Sequence, residues 1–212
     1  MYRLGNDELH KMCKGVKKNM NNLLLACSLG DGHISKDGTF SIIHQAKQEE
    51  YLRYKAQLFN CEDRVHKKNN NGYDAYIFRK GVYNNHDHGK EIRKLLYGVM
   101  NHKYYSETIV NNLDKFCIAI LYCDDGSLIP KKMNGKIHAY NCTISLYCSY
   151  EECDRLVNKI KELFDVQFKI CKDKNKYLIR CGTKEARKFI PQIRELVPAF
   201  KCFENNKLKK DF

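Results

Sequence analysis

The stretch Leu-Leu-Ala-Cys-Ser-Leu-Gly-Asp-Gly at residues 24–32 is an apolar, helix-like run that ends in an acid followed by glycine. A second stretch of the same kind, Ile-Ala-Ile-Leu-Tyr-Cys-Asp-Asp-Gly, occupies residues 118–126. A carboxylate at the end of a buried helix costs free energy unless it is paired or binds a cation. Two copies in one strongly basic chain therefore predict two acids that meet around metal ions.

The composition favours a folded protein with a polyanionic partner. At 212 residues the chain can bury one substantial core, or two small cores that share an interface. Lys and Arg number 38 against 25 Asp and Glu, a net charge of +13, and phosphate contacts through such residues supply most non-specific nucleic-acid affinity. A generically basic surface remains the alternative. No apolar run approaches the roughly 20 residues that cross a bilayer, and the first residues lack the pattern of a signal peptide, so we expect no membrane association.

The cysteines favour a reducing compartment. The chain has 11 of them, an odd number, and none are spaced as Cys-x-x-Cys. Many fall at apolar positions, where a free cysteine behaves as a small buried hydrophobe. We therefore expect an intracellular protein without a disulfide framework. A zinc site at Cys142, Cys148 and Cys153 is the alternative, although their spacing suits no common zinc motif.

The order helix, strand, helix, hairpin, helix occurs twice, which predicts an internal duplication. The predicted halves are residues 1–108 and 109–212. After the first motif, the pattern predicts a strand at 39–44, a helix at 48–59, hairpin strands at 63–68 and 73–79, and a helix at 90–100. After the second motif, it predicts a strand at 136–148, a helix at 149–164 with a capping box, hairpin strands at 166–171 and 177–181, and a helix at 183–196.

The strands of each half have one apolar face and one polar, basic face. Along the strand at 136–148, alternate residues are apolar on one side and small or polar on the other. An ordinary solvated sheet face would look the same, but polar and basic side chains also read base edges and phosphates. The candidates for DNA binding are Asn141, Thr143, Ser145, Gln167, Lys169, Lys176 and Arg180 in the second half, and Arg64, His66 and Arg79 in the first.

Together these features resemble the LAGLIDADG homing endonucleases, in their single-chain branch encoded mostly within group I introns. Residues 29–32 and 122–126 are similar to the ends of the two signature motifs, and residues 40–45 running into 47–52 are similar to the strand and helix after the first. The resemblance covers roughly residues 20–203. It implies an α+β fold of two pseudo-symmetric repeats, with saddle-shaped antiparallel sheets around two central motif helices.

The resemblance also implies the chemistry. The last motif acids, Asp31 and Asp125, would lie at the base of a DNA-binding groove and share Mg²⁺ ions, with Gly30 and Asp124 as further candidate ligands. Asp124 could equally be a supporting group or a helix cap. Each half would cut one strand, so that a monomer makes a double-strand break with short 3′ overhangs in a long recognition site of double-stranded DNA.

A basic residue in each half would complete such a site. Lys103, shortly before the second motif, approximately matches the lysine of the first half. For the second half the candidates are Lys201 and Lys207, and we select Lys201.

The alternative function from another class is an RNA-binding maturase of the same fold, whose partner is its intron RNA, with or without cleavage. A transcription factor on this fold is a further alternative, but it would need additional DNA-reading modules. Both motif acids are present, which favours cleavage.

Overall fold

The computed structural model describes residues 20–70, 72–80, 86–97 and 102–212. The helices are α1 (Met20–Leu29), α2 (Glu49–Leu58), α3 (His86–Tyr97), α4 (Glu107–Asn111), α5 (Lys115–Asp125), α6 (Tyr150–Phe164), α7 (Thr183–Leu196) and α8 (Lys201–Glu204). The strands are β1 (His33–Ile34), β2 (Phe40–Gln45), β3 (His66–Asn70), β4 (Tyr73–Lys80), β5 (Gly126–Met133), β6 (Lys136–Cys148), β7 (Lys169–Asp173) and β8 (Lys176–Gly182).

Each half contains one four-stranded antiparallel sheet, with the orders β1-β2-β4-β3 and β5-β6-β8-β7. The predicted class, an α+β fold of two repeats, is confirmed. The pattern missed the first strand of each sheet: β1 has only two residues, and β5 begins at Gly126 directly after the helix that ends at Asp125. The strand at 136–148 and the helix at 183–196 have the predicted bounds.

The two motif helices pack against each other at the centre of the molecule. Ala26 on α1 and Ala119 on α5 are both fully buried, which allows a close approach of the backbones. Around them, α3 packs on α1 and α7 packs on α5. Residues of both halves form a single hydrophobic core. The division at residue 108 stays a prediction, and that residue lies within α4.

Local sequence explains how helix α6 begins. The Ser149 hydroxyl accepts a hydrogen bond from the Glu152 N–H over 3.2 Å, and the Glu152 carboxylate accepts one from the Ser149 N–H over 2.8 Å. This reciprocal arrangement satisfies two N–H groups that the first turn leaves without partners. The predicted capping box is therefore confirmed.

Two further expectations concern cysteines and membranes. The ten cysteines in the described ranges are free thiols. Across those same ranges, no helix combines the length and apolar character needed to cross a membrane.

Candidate nuclease site at the helix junction

The last acids of the two motifs lie where the central helices end. Asp125 is the final residue of α5, whereas α1 ends at Leu29 and Asp31 follows in the turn after it. Burial and the negative charge of Asp31 raise the pKa of Asp125 to about 7. Burial also raises the pKa of Asp31, with a further contribution from Asp124. The structure thus brings the acids of the two halves into one electrostatically coupled site.

Asp124 has a different environment from its neighbour. Its side chain is fully buried and forms an ion pair with Lys55, over 2.5 Å to Oδ1. The Tyr51 hydroxyl donates to the same oxygen over 2.8 Å, and the Asp31 N–H donates to Oδ2 over 3.1 Å. Burial alone would raise the pKa of Asp124, but Lys55 and the other partners lower it on balance. Both carboxylate oxygens of Asp124 already have partners within the protein, and a role of Asp124 as a metal ligand stays a prediction.

His44 links this buried group to Asp31. Its Nε2 lies 3.3 Å from the Lys55 ammonium, and its Nδ1 lies 3.5 Å from Asp31 Oδ2. Burial, reinforced by the positive charge of Lys55, lowers the pKa of His44 to about 3, so the ring is neutral at physiological pH. An ammonium has only donors, so Nε2 must be the acceptor and Nδ1 must hold the proton that faces Asp31.

Three possible metal-ligating atoms, from Asp31, His44 and Asp124, lie within 4.8 Å of one another. The Lys55 ammonium contacts two of these three side chains, Asp124 and His44. It therefore supplies the positive charge that a metal ion would bring to the inner part of this cluster. Of the three residues, only Asp31 has a substantially exposed side chain, at 40%.

The pseudo-symmetry of the site is broken at the residue before each acid. Gly30 in the first motif corresponds to Asp124 in the second. A Cβ atom at Gly30 would lie 2.4 Å from both Cβ and Oδ2 of Asp124. Where the two motif helices meet, there is therefore room for one side chain at this position. It is that of Asp124 from the second half, and it extends toward α2 and β2 of the first half.

A lysine from each half caps the end of a motif helix. The Lys103 ammonium donates to the Gly30 carbonyl oxygen. The Lys207 ammonium donates to the carbonyl oxygens of Cys123 and Asp124, over 2.7 Å in both cases. Burial lowers the pKa of both lysines, and the acids of the site oppose this effect. The positive charge of Lys103 lowers the pKa of Asp125 more than that of Lys207 does. For the pKa of Asp31 the order is reversed, and Lys207 has the larger effect.

The structure does not bring the Lys201 side chain to the acids, and its role stays a prediction. Its side chain is exposed at the start of α8, and its backbone N–H faces the Glu50 carboxylate at 3.4 Å. Lys207 occupies the place beside the acids because the chain turns after α8 and returns to the end of α5.

Five of the predicted DNA-binding residues of the second half share one face of its sheet, namely Asn141, Thr143, Lys169, Lys176 and Arg180. Ser145 lies in the irregular part of β6, and Gln167 precedes β7. Ser127, Thr143, Arg180 and Lys169 form a row across β5, β6, β8 and β7. Arg180 Nε donates to the Thr143 hydroxyl over 3.3 Å, and Thr143 is only 3% exposed. Thr143 therefore supports Arg180 rather than presenting a free hydroxyl. The other candidates of this half, none of them fully buried, are Asn141, Ser145, Gln167 and Lys176.

In the first half, two of the three candidates lie on one sheet face. His66 pairs with Ile77 and Arg79 pairs with Ser41, positions that share a face of β3, β4 and β2. Arg64 lies outside the sheet, in a 3₁₀ turn at Glu62–Arg64, because β3 begins later than predicted. DNA contact by these residues stays a prediction.

The alternative zinc cysteines do not form a three-ligand cluster within the described residues. Cys148 and Cys153 have their sulfur atoms 3.4 Å apart, whereas Cys142 pairs with Cys181 across β6 and β8. These thiols fill the space between the sheet and its helices.

Sequence reasoning did not identify Lys55 and Tyr51 as parts of the site. A signal was present, because the buried positions of α2 are Tyr51, Leu52, Lys55 and Ala56, which places a lysine on the apolar face of an amphipathic helix. A lysine in that position needs a buried partner. Its partner is remote in sequence, so the pattern alone did not name it.

Comparison with known proteins agrees with this architecture. The sequence profile of the LAGLIDADG DNA endonuclease family matches residues 24–189, and the chain belongs to this family. A comparison with curated protein sequences found no match.

Solved structures of this fold include the homing endonuclease I-WcaI bound to its DNA recognition sequence. It has a TM-score of 0.66 and 18% identity, over 100% of this chain and 96% of that one. I-GzeII, a LAGLIDADG homing endonuclease in complex with its DNA target, has a TM-score of 0.55 and 14% identity over 87% and 86% of the two chains. I-SmaMI bound to uncleaved DNA in the presence of calcium ions has values of 0.53 and 13%, over 89% and 88%. At these identities the likeness shows the shared fold.

Proposed function

We propose that this protein is a divalent-metal-dependent homing endonuclease that makes a double-strand break with short 3′ overhangs in a long DNA site. The observation that carries this proposal is the hydrogen bond from the Asp31 N–H of the first half to Asp124 of the second, which places Asp31 beside the residue that precedes Asp125 at the junction of the motif helices. Because one chain supplies both acids, we propose that it acts as a monomer.

The donor set of the site fits a divalent cation. Asp31 and Asp125 offer carboxylate oxygens, and within the described ranges no Lys or Arg forms an ion pair with either group. Hard oxygen ligands of this kind are those that Mg²⁺ and Ca²⁺ prefer. Asp31 and Asp125 would hold the cation, which when bound would stabilise phosphate charge and make a water molecule more acidic.

The lysines have a separate role in this proposal. Lys103 and Lys207 hold the ends of α1 and α5 through backbone carbonyl oxygens, and thereby fix the acids that follow. Their positive charges also oppose the rise that burial causes in the pKa values of Asp31 and Asp125. Fixed positive groups at a scissile phosphate stabilise the charge that develops as the bond breaks.

The sheets supply the binding surface in this proposal. Lys169 and Arg180 lie side by side on the second sheet, and Arg79 is exposed on the first. With a net charge of +13, the chain is suited to a phosphate backbone. The DNA-bound relatives of the same fold support the assignment of double-stranded DNA as the partner.

Cleavage of an uninterrupted insertion site tests the proposal. A supercoiled plasmid would contain the joined sequences that flank the reading frame, without the intervening DNA. We expect linear product with Mg²⁺ and none with chelator. Asp31→Asn and Asp125→Asn should each lose cleavage and keep DNA affinity, because affinity depends on the basic sheet faces.

The matched control is Asp63→Asn, which removes an equal charge from an exposed turn. It should cut like the parent chain. If both motif variants still cut at the parental rate, the site assignment is wrong. If the parent chain binds its intron RNA and leaves the DNA intact, the maturase alternative replaces the nuclease proposal.

A further inference from the structure

The Lys55 side chain is fully buried, at 0% exposure. Its ammonium contacts Asp124 Oδ1 at 2.5 Å and His44 Nε2 at 3.3 Å, and it lies 4.3 Å from the centre of the Tyr51 ring. An ammonium without such partners would cost several kcal/mol in the protein interior. Lys55 thus has acceptors on two sides and an aromatic face on a third.

Two routes lead from this ammonium to Asp31. Through Asp124, it orients the carboxylate that accepts the Asp31 backbone N–H over 3.1 Å. Through His44, it occupies Nε2 and so leaves the Nδ1 proton directed at Asp31 Oδ2, 3.5 Å away. One route fixes the backbone of the acid and the other fixes its carboxylate.

The geometry points to Lys55 as a positioning residue for Asp31, which acts through Asp124 and His44 without touching DNA or metal. This inference rests on the proposed nuclease function, since it gives Lys55 a part in that reaction. Outer groups of this kind hold a reactive carboxylate in one orientation, and their loss lowers activity even when the acid itself remains.

The buried lysine and its contacts occur in the first half and have no counterpart among the described residues of the second. The corresponding helix of the second half, α6, buries Glu152, Cys153, Leu156, Val157, Ile160 and Phe164, and has no buried lysine. The Asp124 side chain extends into the first half, and Gly30 has no side chain to extend into the second. The two strand cuts should therefore depend unequally on Lys55.

Strand-resolved cleavage by Lys55→Met tests this inference, because the variant keeps an unbranched side chain of similar length and removes the charge. Each strand of a duplex target would be labelled separately and cut with enzyme in excess. We expect the ratio of the two strand-cleavage rates to change by about tenfold or more. DNA affinity in chelator should stay at the parental value.

Leu52→Ala is the matched structural control, since Leu52 is fully buried on the same helix but lies outside the network. It should lower the unfolding temperature and leave the ratio of strand rates unchanged. If folded Lys55→Met cuts both strands in the parental ratio, Lys55 is a structural residue and the inference is overturned.

His44→Phe provides a decision if Lys55→Met does not fold. It keeps the aromatic contact with Tyr51, leaves the Lys55–Asp124 ion pair in place, and removes the nitrogen that faces Asp31. The same change in strand ratio is expected, and an unchanged ratio overturns the inference. Failure of the parent chain to cut any target would instead overturn the proposed function.

Discussion

A Cβ atom at Gly30 would overlap the side chain of Asp124, with 2.4 Å between the two Cβ positions. The absent side chain in one motif is therefore the space that the other motif uses. Asp124 enters that space and reaches its partners Lys55 and Tyr51 in the first half. The two motif helices are not interchangeable, although both end in an acid and a glycine.

Gly30→Ala should destabilise the fold. The added methyl group must displace Asp124 or separate the motif helices, and overpacking of this kind costs about 1–3 kcal/mol. Thermal or denaturant unfolding would measure the change. Gly182→Ala is the control, because nothing lies within 4 Å of its added Cβ, and loss of a glycine helix cap costs only about 1 kcal/mol or less. Equal stability of Gly30→Ala and the parent chain would mean that the helices do not cross as described.

Lys207→Met should slow DNA cleavage by about 100-fold or more, because it removes a fixed positive group beside the acids. Lys201→Met should cut like the parent chain, since that side chain is exposed at the start of α8. Single-turnover rates at saturating enzyme would separate cleavage from binding. The opposite ranking of the two variants would identify Lys201 as the lysine of the second half.

Lys169→Ala should weaken DNA binding and reduce its salt dependence. Loss of one phosphate contact lowers the slope of log affinity against log salt by about 1. Lys161→Ala removes the same charge from an exposed position on α6, which packs on the opposite face of the sheet, and should leave that slope unchanged. A titration series in chelator at several salt concentrations would compare them. Identical slopes for both variants would mean that DNA does not contact this row.

Between about pH 6.5 and about pH 7.5, the metal-free protein should lose the last part of the stability that the Asp125 proton contributes, and above that range the loss should level off. Burial and Asp31 raise the pKa of Asp125 from its ordinary 3.8 to about 7, so the folded chain holds a proton that the unfolded chain has released. That contribution is complete below the ordinary pKa, is lost progressively as the pH rises between the two pKa values, and is gone just above the folded one. His44 acts in the opposite direction, but only below its ordinary pKa of 6.5.

Thermal unfolding in chelator at stepped pH would test this dependence. Asp125→Asn cannot titrate, and its unfolding temperature should change less across the same range. If the parent chain and the variant respond identically to pH, Asp125 is not the titrating group.

The repeated elements were predictable from sequence because they depend on local patterns. Strand β6 and helix α7 alternate or repeat their apolar residues over long stretches, and Ser149 and Glu152 specify the start of α6 within four positions. Strands β1 and β5 had no such signal. The first is too short for a periodicity, and the second follows Asp125 without an intervening turn.

The acids of the site were predictable, but their surroundings were not. Asp31 and Asp125 are marked by the motif itself. The partners of Asp124 are 69 and 73 positions away for Lys55 and Tyr51, and Lys207 reaches the end of α5 across 83 positions. Such pairs form only when the halves fold together, and no periodicity within a single element encodes them.

The unequal strand lengths of the two sheets have a consequence for target length. Strand β6 has 13 residues, whereas β2 has 6. At about 3.3 Å per residue, these strands span roughly 43 Å and 20 Å, or about 13 and 6 steps of a duplex that rises about 3.4 Å per step. We therefore expect the protein to contact a longer stretch of DNA on the side of β6 than on the side of β2. Base changes far from the cleavage point should lower cleavage on the β6 side and have little effect on the β2 side.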